Sequence, residues 1–265
     1  MAADLKELSF APPRDLRRAD IYTLEVARSP KAVLILCPGC NGNGQALVSQ
    51  PIWQQFATDH QMGLIGISFA SDEGLFPLGR GYYYASKGSG DVLLTAVRQI
   101  YGRDLPLALY GFSGGAQFVS RFVEWHPDRV LTWCAYSAGW WDKPVRSNPS
   151  PPGIVACGED DSSRFGASLS YFLQGRAAGK PWTWVSVART DHRYSESLDA
   201  FVRVYFACCL QRGLTPNYVP DLGRHWFDND LKKPVDAATA QARPCLFSWL
   251  PDETVAAKWS TFEMQ

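Results

Sequence analysis

The chain has 265 residues, enough for one large domain or two small ones. At 46% hydrophobic and 20% charged residues it has the composition of an ordinary globular protein. Lys plus Arg and Asp plus Glu both number 26, so the formal net charge is zero, and there is no field to recruit nucleic acid or an anionic membrane. Residues 1–20 lack the basic-then-apolar pattern of a secretory signal, and no run approaches the ~18–20 apolar residues of a membrane span. The expected location is cytoplasmic; the alternative is a secreted protein whose signal has been removed. Seven cysteines cannot all pair within one chain. Cys134, Cys157 and Cys208 fall in apolar runs, where a reduced thiol behaves as a small hydrophobe.

In chain order, an N-terminal arm (1–20) precedes "IYTLEVA" (21–27), whose alternation fits an antiparallel edge hairpin. The runs 32–37, 63–69, 107–112, 131–138, 153–158 and 182–188 are continuously apolar and β-branched or aromatic, as parallel strands covered on both faces should be. Helices are expected at about 46–60, 90–102, 115–126, 163–178 and 195–211. In the second of these, Val92, Leu93, Ala96, Val97 and Ile100 share one face. Strand–helix alternation of this kind implies an α/β fold with an open, mostly parallel sheet, whose ligands bind beyond the carboxyl ends of the strands. Residues 213–265 are rich in Pro and Trp and show little periodicity; this extension either wraps the sheet edge or covers the cleft.

The most specific signal is "LALYGFSGGAQFVSRF": a strand running into Gly111-Phe112-Ser113-Gly114-Gly115 and then an amphipathic helix. This is G-x-S-x-G in its strand–turn–helix setting. The turn is tight, and a side chain at Gly111 or Gly115 would strike the neighbouring strand or helix. On these residues, and on "EWHPDRV" closing the helix, the chain resembles the α/β-hydrolase family over most of residues 20–212.

The resemblance implies one α/β-hydrolase domain over 1–265. Its mostly parallel central sheet would be flanked by helices over a catalytic core at 21–212, with no large inserted lid and an irregular extension at 213–265. It also implies a serine hydrolase cleaving a carboxylic ester through an acyl-enzyme, with Ser113 as nucleophile. A serine needs a base and the base an orienting acid. Of the four histidines, His60 and His126 end helices on the wrong face, and His225 lies in the tail. His192 directly follows the last strand, where the family places its catalytic histidine. Gly158-Glu159-Asp160-Asp161 follows the preceding strand, and Asp161 matches the family's acid, with Glu159 and Asp160 beside it and Asp142 as an outside candidate. An acid there also suits a helix cap.

The oxyanion would take the N–H of Gly114 and a second from the loop "CPGCNGNG" after an early strand, which assigns the backbone of Cys40. Where the family often carries His-Gly, this chain has Pro38-Gly39. Asn41 and Asn43 are suited to bracing the loop. The Cys37–Cys40 spacing also suits a redox dithiol or half of a zinc site, but no second metal pair exists and a glycine-rich loop follows. No cofactor or metal is implied. Trp140, Trp141, Tyr82, Tyr83 and Asn41 are expected as pocket walls for a small-molecule or polymeric ester, with packing of the tail as the other reading of the aromatics. Alternatives are a peptidase or thioesterase on the same triad, and a non-catalytic relative that binds a ligand or partner.

Overall fold

The computed structural model describes residues 4–145, 150–211 and 221–262. The chain divides into two compact units, residues 1–130 and 131–265.

In the first unit, β1 (Leu5–Ser9) and β2 (Arg18–Leu24) form an antiparallel hairpin, and β2 pairs antiparallel with β4 (Met62–Ala70). β1 lies within the expected arm and buries none of its residues, so it carries no apolar alternation to read. Its charged face suits the edge of a sheet. β2, expected at that edge, is flanked on both sides instead and buries Ala19, Ile21 and Thr23 in alternation. β3 (Ala32–Cys37) is buried throughout and runs parallel to both β4 and β5 (Leu107–Phe112), giving the order β1-β2-β4-β3-β5.

The helix expected at 46–60 is two: α1 (Gly44–Val48) and α2 (Pro51–Asp59). Gln50 is extended, and Pro51, which lacks an N–H, opens the second helix where none is needed. α3 (Ser89–Tyr101), which joins β4 to β5, buries Val92, Leu93, Ala96 and Val97. From β3 the chain steps to one side for β4 and returns to the other for β5. The carboxyl ends of β3 and β5 therefore adjoin where the strand order reverses, the place where open α/β sheets bind ligands.

In the second unit, β6 (Val130–Tyr136), β7 (Gly153–Gly158) and β8 (Trp182–Val187) are parallel in that order. α5 (Ser162–Ala177) joins β7 to β8, and α6 (Glu196–Gln211) follows β8. The extension has structure of its own. β9 (Trp226–Asp228) pairs antiparallel with β10 (Pro234–Val235) and β11 (Phe247–Trp249), accompanied by α7 (Ala237–Ala242) and α8 (Glu253–Ser260). Trp226, Ala240, Phe247 and Trp249 form its small core. Elements of two to eight residues are too short to show a period.

This extension closes the open side of β8. The Trp184 N–H donates to Ser248 Oγ at 2.9 Å, and the Trp184 carbonyl accepts the Trp259 indole N–H at 2.8 Å. Side chains thus satisfy backbone groups that an edge strand would otherwise leave open. Arg176 on α5 adds a bond from Nε to the Phe247 carbonyl at 2.8 Å and lies 4.1 Å over the Trp226 ring. Burial pushes this guanidinium down to about 10. Among the described residues no helix is long and apolar enough to cross a membrane.

Trp259 is 1% exposed, whereas Leu231 in the same extension is 68% exposed. Trp259→Ala is expected to cost about 3–5 kcal/mol in urea unfolding, against about 0.5 kcal/mol or less for Leu231→Ala.

Candidate active site

Ser113 links β5 to α4 (Gly114–Trp125) with φ 53° and ψ −114°. A serine rarely adopts that backbone, and holding it there costs about 1–3 kcal/mol. Close approach on both sides makes the turn possible. A Cβ at Gly115 would collide with the Cys37 and Pro38 carbonyls, and one at Gly111 with the Gly115 carbonyl. The serine is only partly buried at the start of α4, where unpaired N–H groups and the helix dipole favour negative charge.

The loop after β3 packs against this helix start. A Cβ on Gly114 would lie 2.8 Å from the Cys40 Cα and 2.6 Å from the Tyr82 Oη, so the two expected oxyanion donors belong to touching backbones. Among the described residues, no backbone bond engages the N–H of either Cys40 or Gly114. Asn41 has a left-handed backbone, φ 52°, and accepts the Ser71 N–H at 3.0 Å through Oδ1. Asn43 caps α1 by accepting the Gln45 N–H at 2.8 Å. Arg18 holds the Asn41 and Gly42 carbonyls at 2.9 and 2.7 Å. Both asparagines therefore brace the loop.

The cysteines in this loop differ. Cys37 is fully buried at the end of β3, and burial pushes its thiol far up. Cys40 is exposed; partial burial and the Glu73 carboxylate raise its thiol, against an opposing hydrogen bond from Tyr83. A redox dithiol depends on a lowered thiol, and here both move the other way.

In the second unit, His192 Nδ1 lies 2.7 Å from Asp161 Oδ2. An ionised carboxylate can only accept, so Nδ1 carries the proton of this bond. Asp161 is 4% exposed and occupies the N-cap position of α5 without capping it. Its Oδ1 instead accepts Arg164 Nη1 at 3.1 Å. Burial alone would raise this carboxyl, but the hydrogen bonds from His192 and Arg164 outweigh it and hold it below the usual range. The neighbouring acids go elsewhere: Glu159 accepts the Ser186 hydroxyl at 2.9 Å, and Asp160 is exposed.

Two further features hold the pair, and neither is legible in the motif. Gly158 allows close approach, since a Cβ there would collide with the Thr190 carbonyl, and the Asp160 N–H donates to that carbonyl at 3.0 Å. Tyr136, at the end of β6, donates to the Arg193 carbonyl at 2.7 Å. The end of β6 and the loops after β7 and β8 are thereby tied around His192.

The other histidines are placed differently. His60 ends α2 against Phe56 at 4.6 Å, and His126 ends α4 with Nδ1 3.3 Å from the exposed Asp128. The His225 carbonyl accepts the Leu250 N–H within the extension. Of the expected pocket aromatics, Trp141 stacks on Tyr171 at 4.2 Å and donates to Ser168 Oγ at 3.2 Å, while Trp140 is 54% exposed. Both line a cavity of about 390 Å³ with Asp142, Lys143 and Gln174. Tyr82 and Tyr83 are buried instead, and pack with Phe76 beneath the Cys40 loop.

No family model matches the sequence, and no curated protein matches it significantly. Solved structures do match. A poly(3-hydroxybutyrate) depolymerase from Bordetella parapertussis superposes with a TM-score of 0.57 at 17% identity, covering 83% of this chain and 92% of its own. A ferulic acid esterase from the anaerobic fungus Anaeromyces mucronatus gives 0.59 at 12%, covering 77% and 89%. A poly(aspartic acid) hydrolase from Sphingomonas sp. KT-1 gives 0.51 at 17%, covering 73% and 95%. The chain has the α/β-hydrolase fold that these neighbours share.

The Asp161 carboxyl is depressed in the folded state, so its stabilisation is present above the unfolded value of about 3.9 and is lost as pH falls through the lower folded value. The stability gap between the wild type and Asp161→Asn, measured by urea unfolding, is therefore expected to be full at pH 6 and to shrink towards pH 3.

Proposed function

We propose that the chain is a serine hydrolase acting on carboxylic esters. The observation that carries the reading is the strained Ser113, φ 53° and ψ −114°, at the head of a helix with glycines on both sides. Strain of this kind persists where function needs a side chain presented at one point. The paired Asp161 and His192 supply the other half of the chemistry. The fold neighbours include a depolymerase and an esterase, which supports ester chemistry over other uses of the fold.

In the proposed reaction the Ser113 hydroxyl gives its proton to His192 Nε2 as its oxygen bonds to the ester carbonyl carbon. The carbonyl electron pair moves onto oxygen and is met by the Gly114 and Cys40 N–H groups. Asp161 keeps the imidazole in the required tautomer and stabilises it once charged. Collapse breaks the bond to the alcohol, which leaves with the proton from Nε2. Water then repeats the sequence on the acyl-enzyme and frees the acid. The cavity beside the exposed Trp140 suits an apolar or aromatic substituent. Peptidase or thioesterase activity on the same triad is the second reading; the poly(aspartic acid) hydrolase among the neighbours supports the peptidase.

A fluorophosphonate probe is expected to label the wild type, to label His192→Ala far more slowly or not at all, and to leave Ser113→Ala unlabelled. Absence of wild-type labelling in folded protein overturns the hydrolase reading in favour of a ligand-binding relative. On p-nitrophenyl esters, Asp161→Asn should lower kcat by about 10³–10⁴-fold. Matched acyl thioesters and aminoacyl amides separate the second reading. Cys40→Pro, which deletes the donor N–H, should lower kcat by about 10²–10³-fold. Cys40→Ser, which keeps that N–H, should lose less than about tenfold, with folding checked by circular dichroism.

A further inference from the structure

Tyr82 follows β4 and lies 41 residues from Asn41 in sequence, yet its hydroxyl accepts the Asn41 N–H at 3.3 Å. The residue is 2% exposed, too buried to offer a ligand a wall. Its Oη also occupies the space that a Cβ on Gly114 would need. One hydroxyl therefore touches both segments that supply the proposed oxyanion donors.

The Tyr82 ring is itself fixed. Its backbone N–H donates to Ser71 Oγ at 3.0 Å, and its carbonyl accepts the Ser89 hydroxyl at 2.8 Å. The Ser71 N–H in turn donates to Asn41 Oδ1 at 3.0 Å, so Asn41, Ser71 and Tyr82 form a closed circuit of hydrogen bonds. The ring meets Tyr83 edge-on at 4.6 Å and Phe76 at 5.9 Å. The chain of polar groups continues from Tyr82 to Tyr83 and from Tyr83 to the Cys40 thiol, whose Sγ lies 3.7 Å from Glu73 Oε1.

The geometry matters because two peptide planes meet at the Cys40 Cα. One, Gly39–Cys40, carries the donor N–H; the other, Cys40–Asn41, carries the N–H that Tyr82 holds. Releasing the second plane lets the first turn, and a donor stabilises charge only while it points at the developing oxyanion. We propose that Tyr82 is a positioning residue for the reaction, its buried hydroxyl locking the Cys40–Asn41 peptide so that the Cys40 N–H is set before substrate arrives. The proposal rests on the serine-hydrolase reading above. It also accounts for Gly114, since any side chain there would displace the hydroxyl.

Tyr82→Phe removes one oxygen and keeps the ring. Turnover of p-nitrophenyl acetate should fall about tenfold in kcat, less than for outright loss of a donor. KM should stay within about twofold, because the hole acts on the tetrahedral intermediate rather than on bound ester. The fluorophosphonate labelling rate should fall in parallel. A folded Tyr82→Phe with kcat within twofold of wild type overturns the proposal, as does a rise in KM at unchanged kcat. If Tyr82→Phe does not fold, Tyr83→Phe, which removes the next polar group in the chain, must lower kcat at least threefold with KM unmoved; an unchanged kcat overturns the proposal. An inactive, unlabelled wild type overturns the hydrolase reading and this inference together, whereas an active wild type beside an indifferent Tyr82→Phe overturns this inference alone.

Discussion

The first unit depends on a contact between two stretches of bare backbone. Gly115, in the first turn of α4, lies against the carbonyls that end β3, and Gly111 lies against Gly115. Contact this close excludes every side chain, and it forces the chain at Ser113 into a conformation that serine avoids. The strain is held by what surrounds it: a helix buried along most of its length and a strand buried at every residue. A backbone held in this way presents its side chain from one fixed point, which is the physical content of preorganisation.

The same device recurs in the second unit with different residues. Gly158 ends β7 and lets the Thr190 carbonyl come close, so the loops bearing Asp161 and His192 run against each other. In both units a glycine admits a neighbouring backbone, at the β5–α4 turn in the first and at the end of β7 in the second.

What could be read from the sequence follows from this. The buried parallel strands were legible because each is a continuous apolar run, and Ser113 because its glycines mark a turn of known shape. β1 was not, since it buries no residue, and the small sheet at 226–249 was not, since its strands are too short to show alternation. Composition could not choose among Glu159, Asp160 and Asp161, three acids in a row. The choice depends on which carboxylate the α5 start turns toward His192. The Tyr82 clamp was hidden for another reason: "GYYYAS" looks like aromatic lining, and its hydroxyl contact spans 41 residues.

The extension that seals β8 bears on how the chain is made. Trp184 is bonded by Ser248 and Trp259, 64 and 75 residues downstream. On the ribosome, the parallel strands of the second unit are therefore complete long before the residues that cover their outer edge have emerged. During that interval β8 presents unpaired N–H and C=O groups beside apolar side chains, a surface on which another nascent strand can add. Residues 226–262 act as the closing seam of the second unit, and a chain cut short before β9 keeps Ser113 and the His192–Asp161 pair but carries an open, adhesive edge.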